Sequence, residues 1–234
     1  LRISGSHAFK LASVNVGTMV SRSKEIVDVL VKRKIQLCCI QETRFKGSSC
    51  KFIGINEVFK FFWSGDSTGD AGVGILVKEN QVSEVIDVKT VNSRIMWMKI
   101  KVGNDLLIIA SVYAPQQGRP ETEKEKFWNE LEDEVRKFTA DDKILICGDL
   151  NGRVGQSRQD FGDVHGGHGF GEKNEEGDRI LDFAQSTDMK IMNTYFKKPD
   201  QHLVTYKSGN IESQIDYILS RSSMKTLFRN VKTI

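Results

Sequence analysis

Residues 144–151 read Ile-Leu-Ile-Cys-Gly-Asp-Leu-Asn. Four successive apolar residues suit a strand buried on both faces, because a strand with one wet face would alternate. Glycine then breaks the run, and a carboxylate (Asp149) and an amide (Asn151) follow as the chain leaves the core. The same order recurs three times. Leu11-Ala-Ser-Val leads to Asn15, Leu37-Cys-Cys-Ile40 to Gln41-Glu42-Thr43, and Ile108-Ile-Ala-Ser-Val112 to Tyr113-Ala-Pro115. If these strand ends share one rim, their side chains converge on a polar cleft over a rigid sheet, the expected place for a site. Singly, each residue has a plainer reading. Asn15 and Asn151 can shape turns, Glu42 fits a surface carboxylate, Asp149 a turn, and Tyr-Ala-Pro a strand stop. The coincidence across four strands carries the weight.

Further apolar runs of strand length lie at 9–16, 35–40, 73–77, 95–102, 106–112 and 215–219. Leu106-Leu-Ile-Ile-Ala110 reads as buried on both faces, whereas 84–89 alternates as a half-wet strand does. Helical spacing of Phe127, Leu131, Val135 and Phe138 predicts a helix over 121–138, and similar patterns predict helices over 22–34 and 176–187. The basic run Lys32-Arg33-Lys34 closes the second of these, where it complements the helix dipole. Many strands with helices inserted between them imply layered sheets flanked by helices, of class α/β or α+β. No linker or repeat divides the 234 residues, so one domain over 8–234 is expected, with 1–7 as a tail.

Apolar residues make up 39% and charged residues 28%, which is ample for a core and argues against disorder. The net charge of +3 permits a nucleic-acid partner without demanding one. Cys38, Cys39 and Cys147 lie within apolar runs, as buried thiols do, and the four cysteines show no metal-binding spacing. No apolar stretch approaches the roughly 18 residues a membrane span needs, so no membrane partner is expected.

Asp216 lies inside Gln214-Ile-Asp-Tyr-Ile-Leu219, within an expected buried strand. A buried carboxylate requires a partner: a cation, a metal, or a histidine that it orients. Oxygen-bearing side chains without a Cys/His cluster suit a hard cation such as Mg²⁺ or Mn²⁺ rather than zinc. Together with a tyrosine able to reach a phosphate, they point to metal-assisted phosphoryl chemistry.

The motifs Leu-Ala-Ser-Val-Asn15-Val-Gly, Ile-Gln-Glu42-Thr, Gly-Val-Gly-Ile (72–75), Val-Tyr113-Ala-Pro, Gly-Asp149-Leu-Asn151, Asn193-Thr-Tyr-Phe, Thr205-Tyr and Ile-Asp216-Tyr-Ile-Leu follow one another in this order. The set resembles the exonuclease III and AP-endonuclease branch of the endonuclease/exonuclease/phosphatase superfamily. The segment from Gly167-His168-Gly-Phe-Gly to Gly177-Asp-Arg-Ile-Leu-Asp-Phe is similar to endonuclease domains of RTE-type non-LTR retrotransposons. The resemblance implies a DNase I-like four-layer α-β-β-α sandwich with two facing mixed β-sheets, and a Mg²⁺-dependent (alternatively Mn²⁺-dependent) endonuclease that acts on DNA, presumed duplex. A DNA substrate would place it in the nucleus.

By motif position, Glu42 would bind the metal with Asn15 nearby. Asp149 would orient or deprotonate water, Asn151 would hold the water or the phosphate, and Tyr113 would contact the phosphate. Arg119, Asn193 and Thr205 would contact substrate, and Asp216 would orient a catalytic histidine. Two departures stand out. Gly17 occupies a position where the repair enzymes carry an aspartate, and residues 217–234 contain no histidine. The resemblance therefore implies either a chain cut before that histidine, or an inactive, DNA- or protein-binding derivative of such an enzyme. His165 and His168, in a glycine-rich loop, are poor substitutes.

Overall fold

A computed structural model describes residues 1, 8–55, 58–158 and 161–234. Contacts divide the chain into two compact units, the first formed by 1–113 and 146–148 and the second by 114–145 and 149–234. The strands build two large mixed sheets flanked by helices.

The first sheet, wholly in the first unit, has the order β1-β2-β5-β4-β3, from β1 (Leu11–Asn15), β2 (Leu37–Gln41), β3 (Ser48–Ile53), β4 (Phe59–Ser64) and β5 (Val73–Lys78). Strands β1 and β2 are parallel and the remaining neighbours antiparallel. All five residues of β2 are buried, for a reason visible in its pleat. Cys38 and Ile40 join Ile26, Val27 and Leu30 of helix α1 (Ser23–Arg33) in one apolar cluster. Cys39 and Gln41 point the other way, onto strand β8 (Asp105–Tyr113). The Cys39 thiol donates to Ala110 O (3.7 Å) and Gln41 Nε2 to Ser111 Oγ (3.1 Å), while Ser111 Oγ donates to Ile40 O (3.0 Å). Within the first unit, strand β2 therefore faces strand β8 across these contacts. Helix α1 ends with Lys32 and Arg33 in its last turn, and Lys34 adopts the left-handed conformation (φ 58°) with its N–H on Val31 O.

The second sheet runs β10-β13-β9-β8-β7-β6, from β6 (Val85–Asn92), β7 (Ile95–Val102), β8, β9 (Lys143–Asp149), β10 (Met189–Ile191) and β13 (Asp216–Arg221). Leu107 to Tyr113 are buried as their unbroken apolar run predicts, but Leu106 is 43% exposed because it opens the strand. Strand β6, on the sheet's edge, departs from the expected alternation: Ile86 is 62% exposed beside exposed Asp87, where the register with β7 shifts between Val85 and Asp87.

In the second unit, α2 (Glu121–Arg136) buries Phe127, Leu131 and Val135, and α3 (Glu175–Ser186) buries Ile180, Leu181, Phe183 and Ala184. Each of the larger side chains, Ala184 excepted, contributes about 1.5–3 kcal/mol. Asn174 caps α3, its Oδ1 accepting the Gly177 N–H (3.0 Å) and the Arg153 N–H (2.7 Å). The buried Lys124–Glu176 pair (2.5 Å) links the helices. A short hairpin, β11 (Tyr206–Ser208) with β12 (Ile211–Ser213), precedes β13.

Candidate active site

The expected residues fall into two sets, one in each unit. In the first unit β2 ends at Gln41, and Glu42 follows with φ 54°. A non-glycine residue held there costs on the order of 1–3 kcal/mol, and such strain gathers at functional positions. The turn aims the carboxylate at two donors: Oε1 accepts from Asn15 Nδ2 (2.8 Å) and from the Tyr113 hydroxyl (2.8 Å). Asn15 lies at the end of β1, and its Oδ1 accepts the Gly17 N–H (2.9 Å), which fixes the amide's orientation. Asn15 thus presents its nitrogen to Glu42 and positions that carboxylate. Glu42 Oε2 has the Arg44 guanidinium at 3.6 Å. Sequence reasoning missed Arg44; its signal was a basic residue two places past the carboxylate, itself at φ 56°.

A hard divalent cation accepts one carboxylate and fills its other positions with water and phosphate oxygens. Glu42 fits that demand: its side chain is 15% exposed, and Oε2 has its nearest ion-pair partner beyond hydrogen-bond length. Among the described residues no group of three His, Cys, Asp or Glu side chains could form a closed metal cage.

In the second unit Asp149 ends β9, 4% exposed, and its Oδ1 accepts the N–H of Asn151 (2.9 Å), which has φ 51°. Asn151 Nδ2 donates to Ala114 O (2.8 Å), and the Ala114 N–H donates to Asp149 O (2.9 Å). The Leu150 N–H donates to Ile215 O (2.9 Å), tying this turn to the residue before Asp216. Burial first, and the Asp149 charge second, push the Asp216 carboxyl up to about 8, against a lowering hydrogen bond from Thr205. Asp216 Oδ1 is buried and has no hydrogen-bond partner.

Thr205 and Asn193 both serve this strand. Thr205 Oγ1 accepts the N–H groups of Ile215 (3.0 Å) and Asp216 (3.1 Å). Asn193 Oδ1 accepts the Ile218 N–H (2.8 Å) and its Nδ2 donates to Asp216 O (3.3 Å). Their polar atoms are thus spent on β13, holding Asp216 in place. Arg119 lies exposed in the turn before α2, its N–H on Gln116 O.

Among the described histidines, His165 and His202 direct ring nitrogens at backbone groups. His165 is 1% exposed; its Nδ1 accepts the Gly167 N–H (3.0 Å) and its Nε2 lies 3.0 Å from Gly155 O. The first bond makes Nε2 the protonated nitrogen, and both ring atoms are consumed by backbone. His168 is exposed in the same loop, and His202 Nδ1 lies 3.0 Å from Thr233 O. His7 lies outside the described residues.

Two strand-end sets of oxygen-bearing side chains, one in each unit, thus stand in a frame of mixed sheets and helices. Residues 107–233 match the Endonuclease-reverse transcriptase family, and the chain belongs to that family. It is 28% identical over 193 residues to craniofacial development protein 2 of Tragulus javanicus and, over the same length, to that of Bos taurus. These alignments take in 80% of this chain but only 33% and 32% of those proteins, so the chain spans about a third of their length.

Among solved structures, the endonuclease domain of TRAS1, a telomere-specific non-LTR retrotransposon, superposes with a TM-score of 0.62 at 16% identity, over 92% of this chain and 86% of that one. AP endonuclease LMAP from Leishmania major gives 0.63 at 12% identity, over 93% and 80%. The Xenopus laevis APE2 catalytic domain gives 0.66 at 14% identity, over 93% and 84%. At these identities the likeness is one of fold.

Proposed function

We propose that this chain is a metal-dependent phosphodiesterase that nicks duplex DNA by in-line attack of water on phosphorus. The observation that carries the reading is the Glu42 carboxylate, held at a strained strand end by Asn15 and Tyr113 with Oε2 left for a hard cation. Mg²⁺ or Mn²⁺ bound there would supply positive charge to the phosphate oxygens. The protein's part is orientation and proton handling. Tyr113 directs its hydroxyl toward the phosphate, Asp149 accepts the proton of the attacking water, and Asn151 holds that water or a phosphate oxygen. Arg119, exposed and cationic, contacts the DNA backbone. Asn193 and Thr205 act through Asp216, whose orientation they fix. The Endonuclease-reverse transcriptase family and the AP-endonuclease and retrotransposon fold relatives support the choice of DNA.

A second reading, a non-catalytic DNA- or protein-binding module, is favoured by the partnerless Asp216 Oδ1. Supercoiled plasmid incubated with the protein and Mg²⁺ separates the two. Relaxation that disappears in both Glu42→Gln and Asp149→Asn establishes the enzyme. Relaxation that survives both substitutions refutes the assignment, and DNA retention without any relaxation supports the binding module.

A further inference from the structure

Tyr113 is held from a side its motif does not reveal. Arg94 sits in the turn between β6 and β7, half-buried, with its guanidinium carbon 5.1 Å from the centre of the Tyr113 ring. Its Nη1 donates to Tyr113 O (3.3 Å), and the Tyr113 N–H donates to Arg94 O (2.9 Å). Arginine's flat guanidinium stacks on aromatic faces as a lysine ammonium does not. Bonded at both backbone groups and covered on its ring, Tyr113 is directed with its hydroxyl onto Glu42 Oε1.

The same turn also reaches the other partner. Asn92 Oδ1 accepts the Arg94 N–H (2.7 Å), fixing the turn. Ser93 O accepts the Gly72 N–H (3.0 Å), and Gly72 O accepts the N–H of Thr43, the residue after Glu42 (3.0 Å). Gly72 has φ +101°, and a Cβ there would lie 2.3 Å from Thr43 Oγ1, so this step of the relay requires glycine. Residues 92–94 thus brace both Tyr113 and the strand end that carries Glu42.

We infer that Arg94 is a positioning residue for the Glu42–Tyr113 pair, keeping the phenol in the orientation the reaction needs. The inference rests on the phosphodiesterase reading above. It requires both the stacking plane and the charge of arginine. Removing it should therefore slow turnover more than it weakens DNA binding, and lysine should restore only part of the loss.

The test uses the 234-residue protein labelled with ¹³Cζ-tyrosine, with the Tyr113 resonance identified by its loss in Tyr113→Phe. Arg94→Met should shift that resonance and lower kcat roughly tenfold, with KM changed less than about twofold. Arg94→Lys should lie between. In a Tyr113→Phe background, Arg94→Met should cost nothing further, whereas a role in general stability would add to the loss. An unmoved Tyr113 resonance, a loss confined to KM, or additive losses in the double variant would each overturn the proposal. Should the wild-type protein fail to nick DNA, the enzyme reading falls, and the resonance alone still decides whether Arg94 sets Tyr113.

Discussion

Glu42 and Asp216 are both carboxylates at the ends of buried strands, one in each unit, and the chain treats them in opposite ways. Glu42 receives two hydrogen bonds on one oxygen and a guanidinium 3.6 Å from the other. Asp216 has one oxygen buried without a partner and the Asp149 carboxylate near enough to oppose its ionisation. The first is met by hydrogen-bond donors and a guanidinium that the chain supplies. Burial and that like charge favour the protonated form of the second, and none of the described residues gives its Oδ1 a hydrogen bond. The two carboxylates therefore differ in their surroundings: donors and a guanidinium around Glu42, burial and a like charge around Asp216.

The sharpest way to break this contrast is Asp216→Asn. The native Asp216 carboxyl titrates near 8 and the unfolded one near 3.8. A raised native pKa gives stability that is complete below the unfolded value and lost as pH climbs to about 8. The melting temperature of the wild-type protein should therefore fall across that window, and Asp216→Asn should flatten the fall. At pH 9 the variant should melt higher by on the order of 5 °C, since about 1 kcal/mol moves a protein of this size by 2–4 °C. Glu42→Gln, which removes an anion its neighbours welcome, should give no such gain. Equal pH slopes in the wild type and Asp216→Asn would abolish the distinction.

Thr205→Val probes the support of the less satisfied carboxylate. The threonine hydroxyl takes two backbone N–H groups and lowers the Asp216 pKa. Removing it leaves two donors unmatched, at a cost of about 1–3 kcal/mol. It should also push Asp216 further up, so that stability falls over a wider range of pH. A variant as stable as the wild type, with an unchanged pH profile, would show that Thr205 does not hold Asp216.

How much of this could be foreseen depended on what each segment buries. Strand β7 has the bounds its apolar run predicts (Ile95–Val102), and the three helices end within two residues of theirs. Strands β3 and β4 escaped notice: β3 is an almost wholly exposed edge, and Phe59-Lys-Phe-Phe-Trp63 lacks the β-branched content of the others. The short strands β10, β11 and β12 are three residues each, too brief for any periodicity.

Among candidate site residues, Glu42, Tyr113 and Asp149 were legible because each closes an apolar run, and Asp216 because it interrupts one. Arg44 and Arg94 were not, since an arginine in a turn is ordinary until its partner is known. The sequence also held no hint that Asn193 and Thr205 spend their polar atoms on β13, because such bonds join residues 10 to 25 positions apart.

His165 offers the mildest and most discriminating check on the idea that Asp216 lacks an imidazole. It stands in the same unit, and burial holds its pKa below the usual histidine value. A depressed histidine pKa favours the neutral ring in the folded state. Its contribution is therefore fully present above about pH 6.5 and lost as pH falls below that value. His165→Gln should remove this acid-side loss and cost roughly 1 kcal/mol at neutral pH through its two backbone contacts. Any nicking should persist within about twofold, because both ring nitrogens already serve Gly155 and Gly167 and neither is left to meet Asp216 or a phosphate. If His165→Gln instead abolished nicking while melting normally, His165 would be the partner of Asp216, and the contrast between a ready and a waiting carboxylate would collapse.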